Sequence, residues 1–387
     1  MTSKRPSSTH PPLPPTTEDD RVDHLRLLRS RRVGPVTYRR LLAEHGTAQA
    51  ALAALPDIAK AAGVPNYEVC PEGVVLAELK AGHRTKARLL FQGDADFPHA
   101  LTEVDDAPVA LWATGRVELL NTPKVALIGA RNASSLGTRM AAKLAQEVGE
   151  AGFTIVSGLA RGIDAAAHHK SLPTGTIAVV AGGVDVLYPA ENADLARAIA
   201  QKGLCLSDQP MGFQPRARHF VARNRIISGL SQAVVVVEAA AKSGSLGTAR
   251  TALDQGRDVL AVPGHPFDAR VAGCNALIRD GAVLVRGPQD ILVHLGAQPD
   301  LAPELRLTMP AQPPKEPAPA PEPRRSLRET AALHNDILTR LSPAPMAEDQ
   351  LIRALGTSAH TIAPVLMDLE LDGKVVRQAG GVLARTI

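Results

Sequence analysis

The sequence is poor in aromatic side chains: one Trp, three Tyr and six Phe make up 3% of its 387 residues. Hydrophobic residues reach 45%, so a sizeable core is expected, built from Ala, Val, Leu and Ile. Cysteine is scarce as well. Cys70, Cys205 and Cys274 stand far apart with no C-x-x-C pair, which excludes a disulfide framework and fits a reducing compartment. No run of about 18 uncharged apolar residues occurs, so no membrane span is expected. Residues 1–20 hold Pro, Ser and Thr without the apolar stretch of a signal peptide, and a cytoplasmic location is the expectation. Charge of one sign is barely in excess: 43 Lys and Arg against 39 Asp and Glu leave +4. The position of the basic residues must therefore matter more than their sum.

Several catalytic signatures are missing. There is no G-x-x-x-x-G-K-[ST] loop for a Walker-type ATPase, no His/Cys cluster at zinc spacing and no G-x-S-x-G elbow. No cofactor and no metal are expected.

The organisation reads in five parts. Residues 1–20 are too poor in apolar surface to offset ordering entropy and read as a disordered tail. Residues 21–85 form a small helical domain, with Leu25, Leu28, Leu41, Leu42, Leu52 and Leu55 at helical spacings. Val33-Gly34-Pro35 between its first helices suits either a helix-hairpin-helix offering backbone N–H groups to a phosphate or a plain packing turn. Residues 86–297 alternate strands (125–130, 153–158, 176–183, 233–239, 258–264) with helices (one on Leu136, Met140, Leu144 and Val148, then 163–170, 192–202 and 248–255). That alternation implies an α/β fold, a Rossmann-like, doubly wound, mostly parallel sheet. Residues 298–325 are a Pro-rich, semi-rigid linker. Residues 326–387 read as helices followed by two strands turning at Gly380-Gly381, a winged helix. Its Arg353, Lys374 and Arg377 are either duplex contacts or solvated surface.

Ligands of open α/β sheets sit at the carboxyl ends of the strands, and four such loops are unusual here. Gly129-Ala130-Arg131-Asn132-Ala133-Ser134 joins a glycine for close approach, an arginine and a capping serine, and its helix N-terminus suits a phosphate. Ser157-Gly158 through Arg161, Gly162 and Asp164 repeats that pattern, with His168 either a general base or a structural histidine held by Asp164. Arg223, Asn224 and Arg225, placed just before an apolar helix, supply phosphate ligands or core-edge ion pairs. Lys242, Ser243, Gly244, Ser245 and Thr248 open a helix with exposed N–H donors beside a lysine. Basic residues converging on one sheet edge suit a polyanion, which guanidinium forks grip bidentately. Only Phe220 is aromatic among these loops, so the expected grip is on the backbone and sequence-tolerant.

The enzymatic alternative is a nucleotide phosphoribohydrolase on a related fold, whose G-G-x-G-T-x-x-E loop resembles residues 244–251. Thr251 stands where that glutamate would be and cannot do its acid–base work.

The segments "IGARNAS", "SGLARGIDAAAH", "VDVLYPAEN", "FVARNRIISGLS", "VVVVEAAAKSGSLGTARTAL", "GRDVLAVPGHP" and "GCNALIRDGA" resemble, in order and over about residues 90–290, the DNA-processing protein A (DprA/Smf) family. The resemblance implies a dimeric single-stranded-DNA-binding mediator of natural transformation. Such a protein protects incoming strands and loads the recombinase RecA without catalysis of its own. It also implies that Arg131 touches the DNA backbone, and that Lys242 and the Arg223–Arg225 segment lie in matching motifs. One departure is "LSDQP" (206–210), where Asp208 stands in place of the family's frequent glutamate. The winged helix occurs in some members only.

Overall fold

The computed structural model describes Pro15 and residues 17–297, 327–341, 345–378 and 382–386. Most of the expected tail, the Pro-rich linker and the Gly380-Gly381 turn lie outside these residues. The chain forms two compact units, Met1–Leu301 and Ala302–Ile387, and the second has a core cluster of its own.

The first unit opens with four helices: α1 (Glu18–Arg29), α2 (Pro35–His45), α3 (Ala48–Ala61) and α4 (Glu72–Arg84). Helix α1 begins inside the stretch expected to be tail. The reason is a capping box: the Thr17 hydroxyl accepts from the Asp20 N–H while the Asp20 carboxylate accepts from the Thr17 N–H. Pro35 at the first position of α2 costs no hydrogen bond there. Leu25, Leu41, Leu42, Leu52 and Leu55 are buried together with Phe91 and Val109. The helical bundle thus shares one core with the edge of the sheet that follows.

That sheet begins with β1 (Arg88–Phe91), a single-turn α5 (His99–Thr102) and β2 (Ala110–Gly115). The doubly wound part then runs β3 (Lys124–Gly129), α6 (Ser135–Glu150), β4 (Thr154–Ser157), α7 (Ile163–Ser171), β5 (Thr176–Val179), α8 (Ala193–Lys202) and β6 (Leu204–Ser207). It continues with α9 (Ala217–Leu230), β7 (Ala233–Glu238), α10 (Ser245–Asp254), β8 (Asp258–Ala261), α11 (Ala272–Arg279), β9 (Val283–Leu284) and α12 (Pro288–His294). The strand order is β1-β2-β6-β5-β4-β3-β7-β8-β9. Pairings from β6 to β9 are parallel, while β1–β2 and β2–β6 are antiparallel. The central strands are buried end to end, with Lys124 and Glu238 the charged residues at the ends of β3 and β7, because helices cover both faces.

From β3 the chain winds outward through β4, β5 and β6. From β7 it winds the other way through β8 and β9. The reversal between β3 and β7 is the topological switch point, where the loops after the two strands part and leave a crevice.

Helix α9 starts at Ala217, so Arg223, Asn224 and Arg225 lie mid-helix rather than just before one. In the second unit, α13 (Leu327–Arg340), β10 (Met346–Ala347), α14 (Glu348–Leu355), α15 (Ala359–Leu371), β11 (Val375–Gln378) and β12 (Val382–Arg385) make a winged helix. Its sheet has the order β10-β12-β11.

Candidate nucleic-acid interface

A groove of about 810 Å³ opens at the switch point. Of the residues singled out in the sequence it collects Gly129, Arg131, Arg223, Asn224, Lys242, Ser243, Gly244, Ser245 and Thr248. A smaller cavity of about 310 Å³ adjoins it, sharing Arg131, Ala160, Tyr188, Pro215 and Phe220, and contains Gly158 and Arg161. Ser134, Ser157, Gly162 and Arg225 line neither.

Arg131 and Lys242 are exposed and carry no ion pair among the described residues. They stand on the two loops that part at the switch point. The Ser245 hydroxyl, donating to the Gly129 carbonyl at 2.8 Å, ties those loops together. Ser243 accepts from the Ser245 N–H at 3.3 Å, which shapes the entry to α10. Gly244, beside Lys242, is the N-cap of that helix; past Ser245, the N–H groups of Leu246 and Gly247 donate to the Ser243 and Gly244 carbonyls at 3.2 and 3.1 Å.

The other two helix N-termini differ from expectation. Ser134 does cap α6, its hydroxyl accepting from the Gly137 N–H at 2.9 Å. Its own N–H and hydroxyl, however, donate to the carboxylate of Glu238 at 3.0 and 2.5 Å. Glu238 is 2% exposed, so the anion site at α6 is filled by the chain itself. At α7 the N–H groups of Gly158 and Ala160 donate to the Asp164 carboxylate at 3.1 and 3.3 Å. Asp164 is a cap from within, and no phosphate reaches those donors without displacing it. The Ser157 hydroxyl is buried and donates to the Leu127 carbonyl at 2.6 Å. Gly162, with φ +75°, lets its loop pass the first: a Cβ there would lie 2.3 Å from the Ala130 carbonyl oxygen. Arg161 is exposed and pairs with Glu191 at 3.3 Å.

Successive helical residues are rotated by about 100°, and this separates the three α9 residues. Arg223 faces the groove floor, 5% exposed. Its guanidinium lies against Gly158, where a Cβ would come within 1.7 Å of Nη1. Burial lowers the Arg223 pKa to about 10 against the pull of Asp164, and burial raises that of Asp164. Arg225 points away from the groove, its Nη2 pairing with Asp208 at 2.7 Å and its Nε with Asp106 at 3.7 Å. It is a structural ion-pair residue, not a groove ligand. Asp208 is the closer of its two partners. His168 is fully buried and shares a 2.7 Å hydrogen bond with the Thr176 hydroxyl rather than with Asp164. Burial pushes its pKa down to about 3, so it is a neutral core histidine.

Tyr188 and Arg270 are groove residues that were not singled out from the sequence. Tyr188, 48% exposed, stands 5.5 Å from Phe220, centroid to centroid. The Arg131 guanidinium lies 5.1 Å over the Phe220 ring. Asn132 and Arg270 also line the groove. The available signal was positional: Tyr188 and Arg270 both lie on loops that follow carboxyl ends of sheet strands.

Comparison with known proteins matches this architecture piece by piece. A family described as DNA recombination-mediator protein A matches residues 88–296. A DprA-like N-terminal HHH domain matches 18–81 and a DprA winged helix domain 313–381. The chain is 43% identical over 246 residues to the DNA processing protein DprA of Streptococcus pneumoniae, covering 62% of this chain and 86% of that protein. It is 35% identical over 328 residues to Protein Smf of Synechocystis, covering 78% and 81%. Among solved structures, DprA of S. pneumoniae aligns with a TM-score of 0.54 at 42% identity, over 58% of this chain and 77% of that one. DprA of Helicobacter pylori, solved for its single-stranded-DNA binding mode, aligns with a TM-score of 0.51 at 33% identity, over 54% and 95%.

Proposed function

The chain belongs to the DNA recombination-mediator protein A family, and from that premise we propose that it grips single-stranded DNA in the switch-point groove. The observation that carries the reading is the pairing of two exposed cations without an ion pair among the described residues, Arg131 and Lys242, with the N-terminus of α10 at one crevice. Phosphates sit beside Lys242 and the entry to α10, where the dipole of the helix favours negative charge. Arg131 grips a neighbouring phosphate from the opposite loop, and Arg223 adds positive potential from the floor. Tyr188 and Phe220 give bases a surface to lie against, so the grip is not on the backbone alone. The single-stranded-DNA binding described for the H. pylori relative supports the reading.

In the cell the protein protects incoming single strands and hands them to RecA during transformation, as a cytoplasmic homodimer without catalysis. Family membership supports this part. No observation favours the phosphoribohydrolase alternative. Thr251, at the position of the required glutamate, spends its hydroxyl on the Gly247 carbonyl of its own helix.

The test is a fluorescence-anisotropy titration of oligothymidylate and mixed-sequence strands from about 50 to 200 mM salt. With about four phosphates neutralised at ~0.7 each, the log–log slope is about −3. Affinity should vary little with sequence and exceed that for duplex. A flat salt response, a nucleoside monophosphate competing as well as the oligomer, or release of free base from a monophosphate would overturn the reading.

A further inference from the structure

The loop that carries Arg131 has a second flank. Beyond it, a cleft of about 760 Å³ runs between the first turns of α6 and the loop after β8. Arg139 and Lys143 of α6, Lys170 of α7 and Arg270 of the β8 loop line it. Lys143 pairs loosely with Glu147 at 3.8 Å, and Arg270 pairs with Asp268 at 2.8 Å. Arg139 and Lys170 are exposed with no ion pair among the described residues. The third carboxylate of the lining, Glu238, is buried and already bonded to Ser134.

Two further features distinguish this cleft from ordinary charged surface. His265 of the β8 loop lines the cleft, and Phe267, just outside the lining, is 95% exposed with its ring 5.5 Å from that of His265. Leu136, on the α6 side, is 74% exposed. Cations on three elements beside an exposed aromatic pair are the ingredients of a single-strand track, with charge for the phosphates and flat rings for unstacked bases. The cleft is also continuous with the groove. Arg270 lines both, and the dividing loop gives Asn132 to one and Ser134 to the other.

We propose that the cleft is a second single-stranded-DNA subsite, in which a strand leaving the groove passes Arg270 and lies between Arg139 and Lys170, with a base against Phe267. The proposal rests on the groove reading, and length of DNA separates the two. A strand just long enough to fill the groove never reaches the cleft, whereas a longer one does.

The experiment compares the wild-type chain with the double variant Arg139→Ala/Lys170→Ala and with Phe267→Ala, against oligothymidylates of increasing length. All three positions are exposed, so the fold is not at stake. The double variant should bind the shortest competent oligomers as the wild type does. It should lose about tenfold on long ones, with a salt slope shallower by about 1.4, two phosphates at ~0.7 each. Phe267→Ala should weaken long oligomers with the slope unchanged. Equal losses at every length would mean a general field effect and overturn the subsite, as would no loss at any length. A changed sedimenting mass without a length-dependent loss would make the cleft an interface between copies, which also overturns it. If the wild-type chain binds no oligomer of any length, the groove reading itself has failed.

Discussion

Arg223 and Arg225 stand two residues apart on α9 and serve different ends. Arg225 belongs to the fold: its pair with Asp208 is largely shielded, and the Asp208 carbonyl also accepts from Arg29 at 3.3 Å. Arg225→Ala is expected to lower stability by about 2 kcal/mol, the range for hydrogen bonds to charged groups, with single-strand affinity unmoved. Arg131→Ala should do the reverse, costing about 1.5–3 kcal/mol of binding at an unchanged urea midpoint. Urea titration and anisotropy on both variants check the pair. If Arg225→Ala abolished binding without loss of stability, the assignment to the fold would be wrong. His168 gives a pH signature. Its pKa is about 3 folded against 6.5 for the free side chain, so unfolding takes up a proton between those values, and stability falls as pH falls through that window. The slope approaches 1.4 kcal/mol per pH unit. Asp164, raised by burial, works in the opposite sense above the usual carboxylate value, so the histidine's part is read as the difference from a variant as pH falls below 6.5. His168→Gln should flatten the urea-midpoint profile there, and an unaltered profile would count against a neutral buried histidine. The sequence marked Arg131 and Lys242 because a basic residue beside glycines at a strand end is a local pattern. It left Arg225 open because the partner, Asp208, is 17 residues away along the chain.

Among the helices that start at the carboxyl ends of the parallel strands, α6 and α7 each have a carboxylate of the chain bonded at their entry. Gly137 shows how tightly the Glu238 carboxylate is seated: a Cβ at that position would lie 2.3 Å from its Oε2. On an exposed helix, Gly→Ala would gain up to about 1 kcal/mol. Here Gly137→Ala is expected to lose about 1–3 kcal/mol by overpacking, read as a lowered urea midpoint; a gain in stability would show that the carboxylate is free to move. The doubly wound core was legible because its strands are apolar runs such as "VALIGA" and "AVVVVEA" between periodic helices. The antiparallel β1 and β2 and the two-residue β9 were not, being too short or too mixed to show a period. Nor was the start of α9. "ARHFVARN" has no standard cap, and its first turn is held by the His219 ring accepting from the Arg216 N–H at 3.0 Å. The occupied N-terminus of α6 could not be read locally, since Glu238 lies 104 residues beyond Ser134.

At the scale of the molecule, the core clusters of the helical bundle and the large sheet draw only on residues up to Ala297. A chain ending there should fold and keep its single-strand affinity. Aggregation of that truncated chain, or loss of its binding, would place the boundary or the groove elsewhere. In the winged helix, Arg377 pairs with Glu348 and Glu370, and Lys374 with Asp372, while Arg353 is exposed and in no ion pair among the described residues. The ends of the nine-stranded sheet have a further consequence. An outermost strand with unpaired backbone groups is a template on which another chain can add a strand, the first step toward fibrils. At one end β1 is four residues long, with Arg21 donating to the Leu89 carbonyl at 2.8 Å; at the other, β9 offers two. Edges this short, one of them with a carbonyl already taken by a side chain, leave little template for such addition.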